Sequence, residues 1–71
     1  MSKRFLKKLG TNIKYLRREK GLSQEQLAEK INKSRNYIGM IERAEANAPV
    51  LTLYSISKAL EVKPKDLFDF D

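Results

Sequence analysis

Arg35 and Asn36 stand side by side in the stretch "SRNYIGMIER", with Met40 one helical turn further on. An arginine fork can donate two parallel hydrogen bonds to guanine O6 and N7, and an asparagine amide can pair with adenine N6 and N7. Each such contact is worth about 1–3 kcal/mol of discrimination against a wrong base. A thioether donates no hydrogen bond, so Met40 could at most touch a thymine methyl. At about 100° per residue, Ile38 and Ile41 project to one side with Ser34 between them. Asn36 and Arg43 project to the other, flanked by Gly39, Met40 and, at the edge, Arg35. The segment reads as a helix with a dry side and a chemically varied wet side. Gly39 leaves a gap on the wet side that could admit a backbone or a base methyl. Tyr37 falls between the sides, with its ring packed and its hydroxyl in reach of a phosphate; Ser34 and Arg43 are read as further phosphate contacts.

Presenting such a face requires a particular corner before it. In "LAEKINKSRNYIGMIER" one apolar-periodic run stops after Ile31 and the next begins almost at once, with Ser34 as its N-cap. So short a connection forces two helices to cross steeply. Ala28 is small enough to let the second backbone come close, and the N-terminus of the second helix is thrust outward. That is the mechanical requirement of a helix-turn-helix, in which the first helix spans the phosphate backbone and the second enters the major groove. Helix pairs with tight turns also occur as plain packing units, so spacing alone leaves both readings open.

The remaining elements are also helical in period. Phe5, Leu9, Ile13 and Leu16 form a stripe that ends at Gly21, a residue that tolerates positive φ. Gly10 is costly inside a helix, so the helix proper is expected to begin near it, with residues 1–9 as a basic N-terminal extension. Ser23 and Gln26 have the spacing of a capping box, and Leu22 and Leu27 flank it as a hydrophobic staple. Leu27, Ala28 and Ile31 then face inward, and Asn32 suits a left-handed residue at the helix end. Pro49 opens a fourth stripe of Leu53, Ile56 and Leu60, and Pro64 suits the first turn of a last helix carrying Leu67 and Phe68. The expected fold is all-α, a five-helix domain spanning 1–71.

Composition narrows the chemistry. Seventy-one residues make one small domain or a fragment of one, and a chain of this size buries only about 60% of its unfolded surface. Cysteine and histidine are absent, which removes disulfides, thiolate metal sites and the commonest general base. No glycine loop cradles phosphate and no carboxylate pair marks a pocket, so no enzyme, catalytic residue, metal or cofactor is expected. Asp66, Asp69 and Asp71 read as solvated charge. "MSKRFLKK" leads into no apolar stretch and no run approaches a membrane span, so a cytoplasmic protein is expected. The net charge of +6 is uneven: residues 1–20 carry eight basic groups against one acidic, whereas residues 21–50 carry four of each sign. Such a basic third favours a polyanion, though a solvated helix face would look the same.

"IKYLRREKGLSQEQLAEKINKSRNYIGMIER" resembles the helix-turn-helix family of phage Cro and repressor proteins, and "LTLYSISKALEVKPKDLF" is similar to that family's fourth and fifth helices. The resemblance covers Gly10 to Phe68. It implies that Gln24 contacts phosphate and braces the recognition helix, that Arg35 and Asn36 read base edges, and that Met40 is a further reading position. It also implies that Arg17 and Glu42 form an ion pair tying the first helix to the third, and that Asn47 lies in a phosphate-holding loop. The sequence departs from the pattern at Asn32 and Ala44, where glycine is usual. It departs again at Glu45 and Ala46, where lysine or arginine often sits. Within the family, a stand-alone domain with "SRNYIGMIERAEAN" looks like the controller proteins of restriction–modification systems, and phage Cro-like repressors and antitoxins share the size.

The function so implied is sequence-specific binding of double-stranded DNA in the major groove and transcriptional regulation, as a repressor-like homodimer on a near-palindromic operator. No small-molecule ligand and no membrane partner are expected. Leu51, Tyr54, Leu67, Phe68 and Phe70 are the candidate dimer contacts, because a single unit reads only a few base pairs; they could instead close the monomer core. Two other classes remain open on the residues alone. One is a protein-interaction module such as an antitoxin or bridging factor, and the other is a membrane-surface binder using residues 3–20.

Overall fold

The computed structural model describes residues 2–71 and is helical throughout, with no strand among the described residues. Four α-helices follow one another: α1 (Lys3–Glu19), α2 (Gln24–Lys30), α3 (Arg35–Glu42) and α4 (Val50–Ala59). The fifth segment, expected as a helix, is a 3-10 helix over Pro64–Phe68. Five residues opened by a proline leave little room for i-to-i+4 bonding. Its first turn is fixed instead by Asp66, whose carboxylate accepts from the Lys63 amide at 2.9 Å. The carbonyls of Asp66 and Leu67 both accept from the Asn12 side chain, at 2.9 and 2.8 Å, so α1 holds this turn in place.

The core is one aliphatic cluster drawn from every element: Leu9, Ile13, Leu27, Ala28, Ile38, Ile41, Ile56, Leu60 and Leu67. Ile13, Leu27, Ile38, Ile56, Leu60 and Leu67 are fully buried. At α2 and α3 the apolar faces are those the helical spacing predicts, with Ala28 buried where the two helices meet.

All four helices stop in the same way. After each C-cap comes a left-handed residue: Gly21 (φ 71°), Asn32 (φ 57°), Ala44 (φ 62°) and Glu61 (φ 58°). In each case the next amide reaches back to the third carbonyl from the helix end: Leu22 to Arg17, Lys33 to Ala28, Glu45 to Met40 and Val62 to Ser57, at 2.7 to 3.1 Å. This is the Schellman arrangement, which satisfies carbonyls that the helix leaves orphaned. Starts are equally explicit. Ser2, Ser23 and Ser34 each accept from a first-turn amide, and at α2 Gln26 returns a bond to the Ser23 amide at 2.8 Å.

One expectation is corrected at α1. The helix does not begin near Gly10 but runs unbroken from Lys3, capped by Ser2. Gly10 is there for close approach: a Cβ at this position would lie 2.6 Å from both the Glu42 and Ile41 carbonyl oxygens. The missing side chain lets α1 press against the end of α3. In an open helix Gly→Ala adds about 1 kcal/mol of stability. Here the methyl meets backbone, so Gly10→Ala should instead lose about 1–3 kcal/mol, seen as a lower urea midpoint with an unchanged slope.

Candidate nucleic-acid interface

Where Gly10 brings α1 onto α3, the two helices are also joined by charge. Arg17 Nε donates to Glu42 Oε2 at 2.7 Å and its Nη2 to Glu42 Oε1 at 3.1 Å. Its remaining terminal nitrogen donates to the Leu22 carbonyl at 2.7 Å. The paired side chains are only 8% and 3% exposed, so the fork is buried and its geometry is bidentate. Glu42 Oε1 accepts a second bond, from Gln24 Nε2 at 3.1 Å. Gln24 is the first residue of α2, so one carboxylate at the end of α3 ties together α1 and the start of α2, while Arg17 also holds the loop between them. An amide nitrogen carries two hydrogens. With one spent on Glu42, the other remains for an acceptor outside.

The corner that follows delivers α3. Asn32 in the left-handed region turns the chain, and Ser34, whose hydroxyl accepts from the Tyr37 amide at 3.1 Å, starts the next helix within three residues. Arg35 and Asn36 are exposed on its first turn, and Met40 is half-buried one turn later. Asn36 Nδ2 lies 3.6 Å from the Met40 sulfur, so these two side chains already lean together along one edge. Tyr37 is half-buried against the core, and the Lys33 ammonium stands 5.9 Å from its ring centroid. The wet face thus carries Arg35, Asn36, Met40 and Arg43 on a helix whose opposite face, Ile38 and Ile41, is locked inside.

The end of α3 differs from the sequence expectation. Gly39 does not leave an open gap: a Cβ there would sit 2.9 Å from Arg43 Nη1, because the guanidinium lies over this bare backbone. Arg43 also meets Glu45 in a two-pronged pair, Nε to Oε2 and Nη2 to Oε1, both at 3.2 Å. That hydrogen-bonded partner raises the guanidinium pKa, and the Arg43 hydrogen bond holds the Glu45 carboxyl below its ordinary range. In the sequence, Glu45 stands out only as a departure from a basic loop. Its two-residue spacing from Arg43 was the available signal. Asn47, further along this loop, is exposed.

The residues proposed for dimer contact separate into three kinds. Leu51 is 78% exposed and Tyr54 half exposed, on α4 beside the equally bare Val50. Phe68 and Phe70 pack around Phe5, with ring centroids 6.2 and 5.6 Å away. Leu67 is fully buried in the core. It has no surface to give a partner, because its side chain is part of the aliphatic core. Among the described residues no cluster of acidic side chains could hold a metal ion, and no helix is long and apolar enough to cross a membrane.

Comparison with known proteins places this geometry. A helix-turn-helix family model matches residues 13–67. The chain is 41% identical over 61 residues to an uncharacterised HTH-type transcriptional regulator, y4dJ, of Sinorhizobium fredii, covering 86% of this chain and 79% of that one. It is 44% identical over 62 residues to the control protein C.BamHI of Bacillus amyloliquefaciens, covering 86% and 76%. Among solved structures, the restriction-modification controller protein C.AhdI of Aeromonas hydrophila superposes with a TM-score of 0.90 at 36% identity, over 93% of this chain and 96% of that one.

Removing one partner from a buried ion pair leaves an uncompensated charge, whereas replacing both with apolar groups is often close to neutral. Glu42→Leu alone should therefore cost about 3–5 kcal/mol, and the double change Arg17→Met with Glu42→Leu should recover most of that loss. Chemical denaturation of the wild type, both single variants and the double variant measures the difference directly.

Proposed function

The chain belongs to the helix-turn-helix family of DNA-binding transcriptional regulators, and on that basis we propose how it reads its target. The first turn of α3 enters the major groove, where Arg35 takes a guanine through O6 and N7 and Asn36 an adenine through N6 and N7. Met40 lies against a thymine methyl further along the groove. Ser34, Tyr37, Arg43 and Asn47 hold phosphates around it, and Gln24 uses its free amide hydrogen on a phosphate of the adjoining backbone. Regulation follows from occupancy, by blocking or touching polymerase, with no bond made or broken.

The observation that carries this reading is the pairing of an exposed Arg35–Asn36 tip with a rigid base. Those side chains reach solvent at the start of α3 while Glu42, at its other end, is fastened to α1 and α2. A tip fixed to the domain core in this way can present two donors at a set spacing.

We further propose that the protein works as a homodimer, with Leu51 and Tyr54 of α4 at the centre of the contact and Phe68 and Phe70 at its edge. Exposed apolar side chains adjacent on one helix are the surface such a contact needs. A twofold pair would then address half-sites about 34 Å apart on one face of the duplex.

Selection of bound sequences from a random duplex pool tests the reading, and a recovered inverted repeat is the expected result. Against the selected site, Arg35→Ala should relax preference at one base pair per half-site, losing about 1–3 kcal/mol of discrimination. Gln24→Ala should weaken all sequences alike. Unchanged base preference in Arg35→Ala would refute the assignment. For the dimer, Leu51→Lys should shift sedimentation from the two-chain to the one-chain species and flatten the binding curve, leaving helix content unaltered.

A further inference from the structure

Glu45 sits where an acidic group is least expected on a DNA-facing loop, and its side chain has little to do for folding. The pair it makes with Arg43 is 55% and 53% exposed, and exposed pairs of this kind contribute almost nothing to stability. Its backbone, not its carboxylate, closes the end of α3, through the Glu45 amide to the Met40 carbonyl at 2.7 Å. What the carboxylate does is occupy Arg43. Two oxygens meet two nitrogens of one guanidinium edge, at 3.2 Å each, the same fork geometry with which arginine takes two phosphate oxygens. The clasped guanidinium also lies over Gly39, so it is drawn back along α3 while Arg35 and Asn36 project from the other end.

Resting on the DNA reading above, we propose that Glu45 is an internal stand-in for a DNA phosphate. In the free protein it holds the Arg43 fork closed, and on binding a backbone phosphate takes its place. Arg43 then contributes to affinity only after this exchange, and the displaced carboxylate is left beside a polyanion. Glu45 therefore lowers affinity for every duplex alike, because the group it imitates is present at every base pair. It leaves discrimination to Arg35 and Asn36. A basic or neutral residue in its place would strengthen binding to operator and bulk DNA by a similar factor, leaving their ratio unchanged.

The test is a double-mutant cycle on the full chain, read by fluorescence anisotropy with a random-sequence duplex and with the selected site. Glu45→Gln keeps the shape and removes the charge. Its thermal midpoint should match the wild type, and its affinity for both duplexes should rise three- to tenfold, with a salt slope steeper by up to about one. In an Arg43→Ala background the same change should have less than a twofold effect. A gain that persists undiminished without Arg43 would show Glu45 to be a mere like charge and overturn the clasp. No gain, or a loss, in Glu45→Gln would overturn it as well, and a gain confined to the selected site would place a base, not a phosphate, on Arg43. Wild-type protein that binds no duplex at all would sink the DNA reading itself, which a null result for Glu45→Gln alone does not.

Discussion

The Glu42 carboxylate is the point on which the arrangement of three helices depends. α2 and α3 are seven and eight residues long, well below the length at which an isolated helix persists in water. Their angle to one another has to be imposed from outside. Glu42 supplies this by accepting from Arg17 on α1 and from Gln24 on α2 while itself ending α3. Non-directional burial of Leu27, Ala28, Ile38 and Ile41 would bring the pair together, yet many crossing angles bury a similar area. Hydrogen bonds with fixed geometry select one. A buried ion pair is weak evidence for stability, and its contribution here is to orientation.

The same logic explains why glycine is used so sparingly. Each helix ends with a residue at positive φ, but only α1 ends with glycine. For the others the left-handed conformation costs about 1–2 kcal/mol relative to glycine, least at Asn32. The strain persists because both neighbours are pinned. Ser34 begins α3 two residues after Asn32, and Lys33 returns its amide to Ala28. A connection this short has no slack in which a relaxed conformer could fit. Of the other two glycines, Gly10 answers to contact and not φ, since it admits backbone carbonyls, while the Arg43 guanidinium lies over Gly39.

Legibility in the sequence follows the range of the interaction. The Ser23–Gln26 box, the Ser34 cap and the turn at Asn32 are all local, and each was readable because the residues concerned lie within three positions of their partners. The dry face of α3 was readable for the same reason. Two of the features that the sequence does not disclose are set by distant chain. Gly10 looked like a helix start until Ile41 and Glu42 came against it. For Leu67 the sequence leaves dimer contact and monomer core both open, and the core is where it lies, in a last turn that Asn12, more than fifty residues away, holds against α1. The fifth segment had the composition of a helix, but a proline start and five residues gave it a 3-10 turn. At the site, residue types placed Arg35 and Asn36 on the wet face, while the Arg43–Glu45 clasp depended on a loop path that periodicity does not describe.

Charge and contact are also divided between elements, and this bears on how such a domain could find a site. The strongly basic region is α1, with Lys3, Arg4, Lys7, Lys8, Lys14 and Arg18, whereas residues 21–50, which hold the whole helix-turn-helix, carry equal numbers of each sign. Long-range attraction falls off over roughly 8–10 Å at physiological salt, so it needs only to be near the duplex and not in the groove. Discrimination requires hydrogen bonds at 3 Å and gains nothing from extra cations beside them, which would attract every sequence equally. On the proposed reading, a near-neutral reading head on a basic frame keeps non-specific affinity in α1, where it aids encounter. On that same reading, sequence choice is left to Arg35, Asn36 and Met40 on a helix that the Glu42 bonds hold in place.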